Sequence, residues 1–158
     1  MRPLVDTNWT DFHPISPSIT PNPLRTVLID DESCVRSAVK LLLEHELGFL
    51  IVGELSSVTS LDRLQGACDL APDLVLLDWE LPGLDPKPQL KRLRACYPAV
   101  KIAALSGRPD ARAAALAAGA DAFLYRGDPP DQLLGALSTL VLPESSYPWC
   151  HQDDHGNR

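Results

Sequence analysis

Five short apolar runs, each followed by a segment with helical spacing, set the rhythm of this chain. RTVLID from Arg25, FLIVG from Phe49 to Gly53, the Leu74–Leu77 run leading into Asp78, VKIAAL from Val100 to Leu105, and DAFLY from Asp121 to Tyr125 are the runs. Leu74 to Leu77 is unbroken and includes the β-branched Val75, which suits a strand covered on both faces of a parallel sheet. Between the runs, Val35, Ala38, Val39, Leu42, Leu43 and Leu47 recur on one helical stripe, with Ser33 as the expected N-cap and Gly48 as the C-cap. Leu61, Leu64 and Cys68 mark a second helix over 58–70, closed by Pro72. Leu90 and Leu93 mark a third from Pro86 to Tyr97, and Leu133, Leu134, Leu137 and Leu140 a last one opened by Pro130. The segment from Pro109 to Gly119 is rich in alanine, so it favours helix while supplying little bulk to anchor it.

Strands that alternate with helices pair in parallel, because each link between strands contains a crossover helix. The expected fold class is α/β, a doubly wound, three-layer (βα)5 sandwich with the flavodoxin-like strand order 2-1-3-4-5. Residues 1–24 carry Pro3, Pro14, Pro17, Pro21 and Pro23 without periodicity and read as a flexible arm, with Trp9, Phe12 and Ile15 as its apolar positions. The ordered domain is expected over 25–142 and a disordered tail over 143–158. In that tail Cys150, His151, Asp153, Asp154 and His155 match no compact metal spacing.

Composition narrows the partners. With 158 residues the chain is about one domain long, and a net charge of -7 argues against nonspecific binding to nucleic acid or membrane surfaces, so a protein partner is expected. Cys34, Cys68, Cys96 and Cys150 form no CxxC pair and follow no secretory signal, which reads as reduced, mostly buried thiols. No apolar run approaches the length needed to cross a bilayer, and a cytoplasmic location follows as an expectation. Lys87, Lys91, Arg92 and Arg94 read as a solvated helix face.

The chemistry lies at the strand ends. The first run ends in Asp30-Asp31-Glu32 and the third in Asp78, followed by the Pro82-Gly83 turn. Strand order 2-1-3-4-5 places those two ends side by side, where like charges are costly unless a cation compensates, and a hard divalent ion is the natural candidate. Ser106 ends the fourth run and Arg126 follows the fifth, adding a hydroxyl and a cation suited to a phosphoryl group.

LIDDES, LLDWELPGLD, ALSG and GADAFLYRGDPPDQLL occur in this order and at fitting intervals, and together they resemble the receiver domain of two-component response regulators over about Arg25 to Leu142. The resemblance implies Asp78 as phosphoacceptor, with Asp30, Asp31, Asp78 and the backbone carbonyl of Glu80 holding Mg2+, and the Glu80 side chain aimed at the rim. It implies Ser106 and Phe123 as the switch pair, and Arg126 where receivers of this family carry a lysine. Arginine keeps the charge but is planar and forked. Pro86 stands where such receivers often have glycine. The implied partners are a sensor histidine kinase or phosphotransfer protein and a downstream protein target. Such a chain turns over no external substrate and catalyses only its own phosphorylation and dephosphorylation.

GADAFLYRGDPPDQLLGAL most resembles receivers that precede a helix-turn-helix domain. The chain stops about where that domain would begin, so the expectation is either a single-domain receiver or one whose effector half has been lost, in both cases without direct DNA binding. The alternative is a degenerate receiver acting as a phosphorylation-independent binding module. A haloacid-dehalogenase-type hydrolase would need Asp-x-Asp after the first strand, and a nucleotide-binding protein would need a glycine-rich loop there. The chain has DDESC instead.

Overall fold

The computed structural model describes residues 23–46, 48–67 and 70–141. All five apolar runs are strands of one parallel sheet: β1 (Leu24–Ile29), β2 (Phe49–Leu55), β3 (Leu74–Asp78), β4 (Lys101–Ser106) and β5 (Ala122–Tyr125), in the order β2-β1-β3-β4-β5. The expected flavodoxin-like order is therefore observed. β3 lies in the centre and is buried at every position, as its unbroken apolar run requires.

Helices α1 (Ser33–His45), α2 (Val58–Ala67), α3 (Pro86–Cys96), α4 (Arg112–Ala117) and α5 (Pro130–Val141) connect and follow the strands. Successive strand residues point to opposite faces, so each strand feeds two cores. Val27, Ile29, Val75, Leu77, Ile102 and Ala104 pack with Leu61, Leu90, Leu93 and Ala115, on the side of α2, α3 and α4. Leu28, Leu76, Ala103, Leu105 and Leu124 pack with Leu43 and Leu137, on the side of α1 and α5. This is the three-layer sandwich.

Several local expectations are corrected. Ser33 is the first residue of α1 and Glu32 its N-cap, with no side-chain capping bond. Helix α2 is described over Val58–Ala67, and Leu70 is not helical. The alanine-rich segment divides into a 3-10 turn over Pro109–Ala111 and the short α4, held by the buried Ala111 and Ala115. Pro86 is accommodated at the first turn of α3, after Asp85 as N-cap. Gly83 has a φ of 77°, the left-handed conformation that the turn after β3 needs from a residue without a Cβ.

Arg94 does not belong to a solvated face. Its guanidinium donates to the carbonyl oxygens of Val100 (3.2 Å) and Gly119 (2.6 Å) and to Asp121 Oδ2 (2.8 Å), while Lys87, Lys91 and Arg92 are exposed. The reading of reduced, mostly buried thiols is also corrected: Cys34 is free but exposed, and Cys96 is disulfide-bonded. Spacing along the chain carries no information on which cysteines the fold brings to bonding distance. Leu24, placed in the flexible arm, is instead the first residue of β1 and pairs with Phe49, while residues 1–22 of the arm, Leu47, Cys68, the Leu64 side chain and the tail lie outside the described residues. Among the described residues no helix is long and apolar enough to cross a membrane.

Candidate functional site

The carboxyl ends of β1, β3, β4 and β5 form one edge, and backbone hydrogen bonds fix how far each side chain extends beyond it. Asp30 N donates to Leu55 O (3.0 Å), Trp79 N to Leu105 O (2.8 Å) and Arg126 N to Ser106 O (2.9 Å). Register places Ile29 beside Leu77, and Asp78 beside Leu105. The two acids therefore leave adjacent strands at nearly the same height.

Asp30, Asp31 and Asp78 come together, each offering one carboxylate oxygen, and these oxygens all lie within 4.8 Å of one another. Asp30 and Asp78 are buried and Asp31 is exposed, so the cluster opens to solvent on one side. Asp30 Oδ1 accepts from Glu32 N (2.8 Å) and Asp78 Oδ1 from Glu80 N (2.9 Å), two equivalent Asx turns that aim both carboxylates inward. Arg36 Nη1 donates to the Asp30 carbonyl oxygen at 2.6 Å, tying α1 to the same strand end.

Arg126 supplies the positive charge at the centre. Its Nη2 donates to Asp30 Oδ2 at 2.7 Å and lies 3.0 Å from Asp78 Oδ1, while Nη1 is 3.7 Å from Glu32 Oε1. Its Nε is buried without a hydrogen-bond partner. Even so, burial pushes the Asp78 carboxyl up to about 7. The Asp30 charge and a hydrogen bond with Asp31 push the same way, against the Glu80 amide and Arg126. Asp30 is also raised, again mainly by burial. One guanidinium thus leaves an excess of buried negative charge. Three carboxylates with oxygen-only donors are the set that a hard divalent cation such as Mg2+ prefers, so the residues present fit such an ion.

Ser106 is fully buried at the end of β4, on the same edge. Its Oγ donates to Glu80 Oε1 and accepts from Arg108 N at 3.0 Å, while Gly107 N donates to Glu80 Oε2 at 3.4 Å. The Glu80 side chain therefore reaches across the site rather than stopping at its rim. Sequence reading missed this contact, because it joins residues 26 positions apart through side chains alone. Phe123 is buried in the core beside Ala111 and Ala115, with the Arg112 guanidinium 5.5 Å from its ring centre.

Known proteins resemble this chain in sequence and in fold. A family profile described as the response regulator receiver domain matches residues 26–138. The nitrate/nitrite response regulator protein NarL of Escherichia coli (strain K12) is 32% identical over 133 residues, covering 80% of this chain and 61% of that protein. The chain thus spans about three fifths of the length of the curated relatives it matches. Among solved structures, the signal receiver domain of a NarL response regulator from Mycobacterium tuberculosis is similar with a TM-score of 0.64 and 24% identity, over 77% of this chain and 98% of that one. A CheX-CheY-BeF3-Mg complex from Borrelia burgdorferi contains a chain with a TM-score of 0.64 and 16% identity, over 77% of this chain and 92% of that one. Likeness at such identities speaks for the fold alone. The profile covers well over half of the residues, and on that basis the chain belongs to the response regulator receiver domain family.

Proposed function

We propose that the chain is a Mg2+-dependent phosphoacceptor that relays a signal from a histidine kinase or phosphotransfer protein to a protein target in the cytoplasm. The observation that carries this reading is the meeting of the Asp30, Asp31 and Asp78 carboxylates around one point with Arg126 beside it. Asp78 is the acceptor: a carboxylate oxygen attacks phosphorus in line, a P–O bond to Asp78 forms, and the bond from phosphorus to the donor nitrogen or oxygen breaks. The leaving imidazole or acetate departs with the bonding electron pair. Asp30, Asp31, Asp78 and the Glu80 backbone carbonyl would hold Mg2+, which when bound supplies positive charge to the transferring oxygens. Arg126 adds a second cation, and Ser106 donates its hydroxyl to a phosphoryl oxygen, with Phe123 responding as the other half of the switch. The chain modifies only itself.

Incubation with acetyl phosphate and Mg2+, followed by intact-mass measurement, tests the reading. One added phosphate that is lost in Asp78→Asn is expected. If no adduct forms with Mg2+ present, the phosphorylation-independent binding module takes its place.

A further inference from the structure

Resting on the phosphoacceptor reading, we propose that Glu80 is an internal stand-in for the phosphoryl group, holding the Ser106 hydroxyl and the Gly107 amide before any phosphate arrives. One carboxylate takes both groups: Oε1 accepts from Ser106 Oγ and Oε2 from Gly107 N at 3.4 Å. Its own backbone amide is bound to Asp78 Oδ1 at 2.9 Å, so the stand-in is anchored to the acceptor itself. A carboxylate and a phosphoryl group both present negatively charged oxygens to N–H and O–H donors, and such charge-assisted bonds are stronger than neutral ones. Ser106 and Gly107 cannot serve both at full strength.

Two consequences follow. In the unmodified protein the β4–α4 loop is already pinned: Ser106 Oγ bonds Glu80 on one side and accepts from Arg108 N at 3.0 Å on the other. A phosphoryl group on Asp78 must expel Glu80, which its own negative charge favours and which the exposure of Glu80 permits. Glu80 is therefore a positioning residue that sets how much of the switch remains for phosphorylation to throw.

Amide NMR of the full chain reads this directly, with beryllofluoride plus Mg2+ as the phosphoryl probe. In Glu80→Ala without ligand, the Gly107 amide should shift by more than its line width, and beryllofluoride should bind at least about threefold more tightly than to the wild type. Glu80→Gln keeps an acceptor but loses the charge. It should retain the Gly107 position of the wild type yet also bind the probe more tightly. An unmoved Gly107 amide in Glu80→Ala, or equal or weaker beryllofluoride binding in both variants, overturns the proposal. If neither the wild type nor the variants bind the probe while Gly107 still shifts, the phosphoacceptor reading fails as well, and Glu80 is a structural tether only.

Discussion

Arg126 Nη2 lies 3.0 Å from Asp78 Oδ1, and the same nitrogen holds Asp30 Oδ2 at 2.7 Å, so one guanidinium partly neutralises the acids that would receive a divalent ion. Metal binding then competes with Arg126 for the same charge. Arg126→Ala should tighten Mg2+ binding by about tenfold, with Arg126→Lys between that variant and the wild type. Trp79 is half-buried beside Asp78, so its fluorescence in a Trp9→Phe, Trp149→Phe background follows the titration. Weaker Mg2+ binding by Arg126→Ala would show that Arg126 orders the site and does not compete for it.

Asp78 gives the fold a pH dependence of known sign. Folded, it keeps its proton up to about pH 7, whereas its ordinary value is 3.8. Between those values the folded chain binds more protons at this group than the unfolded one, so the contribution of Asp78 to stability is greatest below about pH 4, falls as pH rises, and is fully lost above about pH 7. Asp30 is raised too and acts in the same direction. Asp78→Asn should therefore melt above the wild type near pH 8, the gap closing towards pH 4, and Mg2+ should stabilise the wild type more at pH 8 than at pH 5. Thermal unfolding across this range measures both, and a pH-independent gap would mean that the Asp78 charge is not its source.

Apolar runs bounded by glycine, proline and acids decide which segments are strands and which edge is charged, because burial on both faces of β3 demands an unbroken run. The meeting of Asp30 with Asp78 was legible for the same reason: strand order fixes it without any knowledge of rotamers. What stayed hidden depends on where long side chains end. Glu80 reads as a rim residue because its partner Ser106 lies on another strand, and Arg94 reads as one of four surface cations. Ser33 reads as a helix cap, yet the Asp30 side chain takes the Glu32 amide and starts the helix one residue earlier. Residue type cannot separate these cases; only the tertiary distance does.

Arg94 carries a stability prediction. Its three acceptors join the end of α3 to the start of β4 and the turn before β5, and Asp121 Oδ2 also accepts from Ile102 N at 2.8 Å. Arg94→Ala leaves the buried Val100 carbonyl oxygen without this donor, while Gly119 and Asp121 are exposed and water can replace theirs. A loss of about 1 kcal/mol in urea unfolding is expected, against little change for Lys91→Ala on the exposed face of the same helix.

Gly127 meets Tyr125 so closely that no larger residue fits without moving the ring. A Cβ at position 127 would lie 2.3 Å from Tyr125 Cε1, 2.4 Å from Cζ and 2.6 Å from the hydroxyl oxygen. Tyr125 is half-buried against the core on the α2–α4 side, so its ring gives way only by losing packing there. Overpacking of this kind costs about 1–3 kcal/mol, and Gly127→Ala should lower the unfolding midpoint accordingly. The displaced ring adjoins Arg126 in the chain, so the same variant should also disturb the Trp79 response to Mg2+. In a Tyr125→Ala background the stability cost of Gly127→Ala should vanish, because the clashing atoms are gone. A cost that persists in the double variant would place its origin in the backbone at 127 instead of the ring.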